Sequence, residues 1–99
     1  MERICKKDDI QLGEMKSFDV SGKTILVANV GGSFYAIDNV CSHRGCPLGE
    51  GHLEDNTVPC PCHGAQFDVR TGEVKAPPAP KPQKSFKVKV EGSDVLVEI

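Results

Sequence analysis

Bulky aromatic residues are scarce in this sequence. Tryptophan is absent, tyrosine occurs once and phenylalanine four times in 99 residues, so the core must be assembled from aliphatic side chains. A chain of this length reads as one domain, 1–99, and buries only about 60–65% of its unfolded surface. A bound metal or a cross-link would supply a large share of its stability. Long apolar runs are missing as well: no stretch approaches the ~20 residues of a membrane-spanning helix. The opening MERICKKDDI lacks the apolar segment of a secretory leader. Basic clusters are missing too. Lys and Arg number 12 against 14 Asp and Glu, a formal net charge of −2, and the cations are scattered, which speaks against nucleic acid as a partner. The expectation is a cytoplasmic protein without membrane attachment. In that reducing compartment cysteines more often bind metal or do redox chemistry than form structural disulfides.

Helical periodicity is the next absence. No window of about 11–18 residues carries a convincing helical repeat, although a turn or two fits near Lys7–Leu12. What is present is strand and turn. KTILVANV (23–30) is rich in β-branched residues, GGS (31–33) turns the chain and FYAID (34–38) returns it. SFKVKV (85–90) alternates, which predicts Phe86, Val88 and Val90 on one face and lysines on the other. EGSD (91–94) then turns and VLVEI (95–99) pairs back as a hairpin. AQFDVR (65–70) reads as a strand entering a turn at TGE (71–73). APPAPKPQ (76–83) carries four prolines, which favours an extended, stiff loop. The expected fold is all-β, a small barrel or stacked antiparallel sheets, without internal repeats.

Cysteine is concentrated. CSHRGCPLGEG (41–51) and CPCHGAQFD (60–68) hold four of the five cysteines and two of the three histidines. Cys41 and His43 form C-x-H; Cys60 and His63 form C-x-x-H; each pair falls in a loop between expected strands. Taken singly, a cysteine is often a small buried apolar residue and a histidine a surface one. Paired at short spacing in two Gly/Pro-rich loops, they read as a metal site gripped between loop tips. Zinc is one candidate, since two cysteines and two histidines are a common zinc set. Zinc sites usually cluster like ligands, however, as C-x₂₋₄-C with H-x₃₋₅-H, and here each loop mixes them. A binuclear centre in which one iron takes two cysteines and the other two histidines accounts better for the mixture.

On these residues the chain resembles the Rieske [2Fe–2S] family, whose boxes are C-x-H and C-x-x-H followed by glycine, here CSHRGC and CPCHG. FYAID leads into the first box, CHGAQFD continues the second into a strand, and APPAP matches the family's proline loop. The resemblance implies antiparallel sheets carrying a cluster-binding loop subdomain over about residues 40–80. It implies a [2Fe–2S] cluster with Cys41 and Cys60 on the inner iron and His43 and His63 on the outer one. Exchanging two thiolates for two neutral imidazoles lifts the reduction potential to roughly −150 to +300 mV, against about −400 mV for plant-type ferredoxins. The second ring N–H of each imidazole couples electron to proton affinity, so the potential should fall at alkaline pH.

The resemblance reaches further residues. Cys46 and Cys62 stand where the bc-type members of the family carry an inter-loop disulfide, worth roughly 3 kcal/mol by chain entropy; two reduced thiols are the alternative in a reducing compartment. Cys5 is left over as a packed or free thiol. Where the bc type has hydroxyl donors to cluster sulfur, this chain has Ala65 and Phe67, which implies the lower part of the potential range. Arg44 reads either as a docking contact for an acidic partner or as a solvated arginine. Gly45, Gly49, Gly51 and Gly64 read as turn formers. Pro77, Pro78 and Pro80 read as a stiff third wall or a plain connection. His52 reads as a surface loop residue, and Lys81, Lys84, Lys87 and Lys89 as a solvated face.

Three functions compete. The first is a monomeric one-electron carrier, without substrate turnover of its own, between a reductase and an acceptor such as an oxygenase. The second is a zinc-stabilised binding module using the same four ligands. The third is a small subunit of a larger oxidoreductase, similar to the nitrite-reductase small subunit, disfavoured because such chains commonly lack the full ligand set.

Overall fold

The computed structural model describes residues 2–40, 46–61, 65–76 and 83–98. These form strands β1 (Glu2–Lys6), β2 (Met15–Val20), β3 (Lys23–Val30), β4 (Ser33–Asp38), β5 (Thr57–Pro59), β6 (Gln66–Asp68), β7 (Val74–Ala76), β8 (Ser85–Phe86), β9 (Val88–Glu91) and β10 (Asp94–Val97). Single 3₁₀ turns occupy Lys7–Asp9 and Leu48–Glu50. The strands pair antiparallel in three sheets, ordered β1-β10-β9, β2-β3-β4-β8 and β5-β6-β7. The fold is all-β, as the turn and strand signals predict.

The middle sheet forms where the β-branched run lies. β3 spans the eight residues KTILVANV, and Ile25, Leu26, Val27 and Ala28 are all fully buried. Successive side chains of a strand point to opposite faces, so β3 serves two cores. Leu26 and Ala28 join Ile37, Leu48, Val58, Cys60, Ala65, Phe67 and Val69 in one cluster. Ile25 and Val27 join Cys5, Ile10, Ala36, Val95 and Val97 in the other. Each fully buried aliphatic side chain contributes about 1.5–3 kcal/mol, so this one strand stabilises both flanking sheets. The β3–β4 hairpin closes through Gly31 and Gly32, at φ 61° and 94°, with Val30 facing Ser33. Two successive positive φ values match the twist of a two-residue hairpin turn, and glycine adopts them without a Cβ penalty.

Two expectations are corrected. The segment 85–90 is not one strand: β8 pairs with β4 in the middle sheet, whereas β9 pairs with β10. The chain changes sheet at Lys87, so Phe86 and Val88 pack against the second cluster while Val90 is 40% exposed. Alternation reports a side chain's face but not its pairing partner, and here the partner changes midway. The segment 65–70 is paired only as far as Asp68. Asp68 O then accepts the N–H groups of Thr71 and Gly72 at 3.3 and 2.6 Å, turning the chain earlier than expected. The proline-loop expectation falls on residues 77–82, which lie outside the described residues.

Candidate metal centre

The third sheet and the end of β4 carry the roots of both Cys/His loops. β5 and β6 pair through Val58↔Phe67 and Pro59↔Gln66, and Cys60 N–H donates to Ala65 O at 2.6 Å, closing the second loop at its base. Cys60 is 3% exposed and its thiol is free. The first loop leaves β4 and is closed by a bridge between Val40 and Pro47. Asn39, also buried, fastens it further. Its carbonyl accepts Leu48 N–H at 2.7 Å, its side-chain oxygen accepts Gly49 N–H at 2.8 Å, and its own N–H donates to Thr24 O at 3.1 Å.

The two roots share one apolar core. Leu48, from the first, packs in the same cluster as Val58, Cys60, Ala65 and Phe67 from the second, with the half-buried Cys46 against it. The loops also touch at Gly51, where an added Cβ would stand 3.2 Å from Pro59 O and 3.7 Å from Pro61 Cδ. Glycine is needed there for close approach rather than for its dihedrals. From the other side Gln83 donates through its side-chain amide to Asp38 O at 2.8 Å and Val40 O at 2.6 Å.

Charge is sparse in the cluster holding Cys60 but organised at the β6–β7 turn. Arg70 donates to the Asp68 carboxylate from its backbone N–H at 2.9 Å, from Nε at 3.2 Å and from Nη2 at 3.0 Å. The Arg70 side-chain hydrogen bonds hold the Asp68 carboxyl below the usual carboxylate range, and the same pairing raises Arg70. Cys5 belongs to the other core, across the middle sheet; burial pushes its thiol pKa up, with Asp9 adding to the effect.

Of the ligands expected from sequence, Cys60 is described at the root of the second loop, while Cys41, His43 and His63 lie outside the described residues. Cys46 is described and Cys62 is not. Arg44, Gly45, Gly64, Pro77, Pro78, Pro80 and Lys81 also lie outside them. His52 is exposed, with Nε2 3.4 Å from Glu54 Oε1, and Lys84, Lys87 and Lys89 are exposed as expected. Ala65 and Phe67 are fully buried, and neither has a hydroxyl. Sequence reasoning did not single out Asn39 or Gln83. Both are polar residues in loop-like surroundings, and only their burial and partners distinguish them. Of the expected donors Cys60 alone is described, and it fits an iron–sulfur group: its free thiol lies in the apolar core that the roots of both loops share.

The Rieske [2Fe-2S] domain matches the chain over residues 1–87. The chain is similar to the ferredoxin component of biphenyl 2,3-dioxygenase from Rhodococcus jostii strain RHA1. Identity is 48% over 99 residues, covering 100% of this chain and 92% of that protein. It is also similar to the ferredoxin of carbazole 1,9a-dioxygenase from Nocardioides aromaticivorans IC177. That solved structure superposes with a TM-score of 0.93 at 37% identity, covering 97% of this chain and 94% of the other. A third likeness, with a TM-score of 0.92 at 33% identity, is to a chain in a complex of reduced oxygenase and oxidised ferredoxin in carbazole 1,9a-dioxygenase, covering 97% of this chain and 90% of that one.

Proposed function

The chain belongs to the Rieske [2Fe–2S] domain family, and on that premise we propose that it is the ferredoxin component of an aromatic-ring dioxygenase system. It takes single electrons from a reductase and passes them to a terminal oxygenase; substrate turnover belongs to the oxygenase. The observation that carries this reading is likeness over the whole chain to dioxygenase ferredoxin components, in sequence and in fold alike. The cluster, when bound, supplies reversible one-electron chemistry in the range of roughly −150 to +300 mV that two-histidine ligation allows.

Within this reading Cys41 and Cys60 hold the inner iron and His43 and His63 the outer one. Cys60 is supported by its free, buried thiol at a loop root. The same domain spans residues 1–99, with the cluster loops over about 40–80. Ala65 and Phe67 offer no hydroxyl to cluster sulfur, which favours the lower part of the Rieske range. The Cys46–Cys62 bridge belongs to the proposal as well. Its support is that Cys46 stands half-buried against the core that holds Cys60, at the spacing from Cys41 that the bc-type members share. Mass spectrometry of the unreduced protein, with alkylation of free thiols, tests that bridge. A cytoplasmic monomer fits the reading, and no described helix is long and apolar enough to cross a membrane.

Electron paramagnetic resonance of the dithionite-reduced protein tests the proposal. A Rieske-type signal, with electron delivery from a reductase to a ring-hydroxylating oxygenase, is the expected outcome. A colourless, zinc-loaded protein without inorganic sulfide would overturn it.

A further inference from the structure

Gln83 follows the proline-rich segment and is 4% exposed. Its side-chain Nε2 donates to two main-chain carbonyls of the stretch that precedes Cys41, Asp38 O and Val40 O. Among the described residues, strand pairing supplies neither carbonyl with a donor. The β4–β8 ladder covers Ala36↔Phe86 and Ile37↔Ser85, and its last backbone bond runs from Asp38 N–H to Lys84 O at 2.8 Å. An amide NH₂ has two hydrogens to give, one for each carbonyl. The backbone N–H of Gln83 donates in turn to Gly72 O at 2.7 Å. A Cβ on Gly72 would collide with Gln83 O, so these two backbones are in direct contact. One residue thus joins the exit of β4, the β6–β7 turn and the end of the proline segment.

We propose that Gln83 is a positioning residue for the metal centre: by saturating the Asp38 and Val40 carbonyls it fixes the strand end from which the Cys41–His43 loop departs. The inference rests on the ligand assignment above. A side chain of equal size without donors would fill the space and leave two carbonyls orphaned, enough to shift local opening about tenfold or more.

The test uses the full-length protein with Gln83→Met and Gln83→Glu. In Gln83→Met, hydrogen exchange of the Val40, Leu48 and Gly49 amides rises about tenfold or more over the parent, while exchange in the β1-β10-β9 sheet does not change. Iron release to a chelator accelerates with it. Gln83→Glu adds a pH profile. A protonated carboxyl still donates one hydrogen bond, whereas the ionised form donates none and faces two carbonyl oxygens. The ratio of loop-root exchange to that of the parent therefore rises through the ionisation of Glu. Among the described residues, the charged groups on the elements that Gln83 joins are Asp38 and Lys84, Lys23 across the cavity these three share, and Asp68 and Arg70 on the turn holding Gly72. A residue that only fills space produces no such profile. Parent-like exchange in Gln83→Met, or a flat ratio in Gln83→Glu, overturns the proposal; should the Met variant not fold, the Glu profile decides alone. A parent without a Rieske-type resonance would remove the electron-carrier reading. The exchange measurement, which needs no cluster, still decides the role of Gln83.

Discussion

Replacing Ala65 by serine places a hydroxyl at the root of the second loop, beside Cys60, where bc-type Rieske chains carry one. A hydrogen bond to a charged acceptor contributes about 1.5–3 kcal/mol. Only the difference between the two redox states moves the potential. Taking that difference as roughly 1 kcal/mol, and about 59 mV per tenfold change for one electron, the potential should rise by about 40–45 mV. The structure sets the condition. Ala65 is fully buried among Leu48, Val58, Cys60 and Phe67, and its carbonyl is occupied by the Cys60 N–H. An unpartnered hydroxyl in that apolar setting would cost about 1–3 kcal/mol of stability. A bonded hydroxyl therefore raises the potential at near-parental stability, and an unbonded one lowers stability with no gain in potential. Protein-film voltammetry and thermal denaturation of the Ala65→Ser variant read both quantities. An unchanged or lowered potential at near-parental stability would refute the argument that missing hydroxyl donors set the poise.

Three other outcomes follow from the packing. Gly72→Ala should destabilise by more than about 2 kcal/mol, since φ is +83° and the new Cβ would meet Gln83 O; a lowering of Tm by about 8 °C or more checks it. Phe67→Ala empties the largest fully buried side chain of the cluster that also holds Cys60. It should cost about 3–5 kcal/mol, seen in denaturant melts together with faster bleaching of the visible absorption. Asp68→Asn tests the carboxylate whose pKa Arg70 depresses. A depressed pKa means stability that is present above the unfolded value, about 3.9, and lost as pH falls through the folded one. The variant should therefore be less stable than the parent at pH 7, by ~1 kcal/mol because Arg70 is half exposed. The two should converge as pH falls through the folded value of that carboxyl, and a gap as large in acid as at pH 7 would show that the charge is not responsible.

How much was legible in the sequence varies by element, for physical reasons. β3 is predicted residue for residue, because a run rich in β-branched residues flanked by turn chemistry leaves few alternatives. The positive φ values at Gly31 and Gly32 follow from the dipeptide itself. β1, β2, β5 and β7 carry no comparable local signal, since such strands take their identity from the neighbours they pair with. The alternation of 85–90 is real, yet it cannot reveal that β8 and β9 belong to different sheets. The same division runs through the metal centre. Residue chemistry and spacing determine which side chains can ligate, because thiol and imidazole have no substitutes and the loops are short. The anchoring of those loops was decided by the tertiary structure alone. Gln83 reaches carbonyls 43 and 45 residues away in sequence, and Leu48 meets Phe67 only inside a shared core. Ligand identity is a local property of side chains, whereas loop position is set by contacts between residues that only folding brings together.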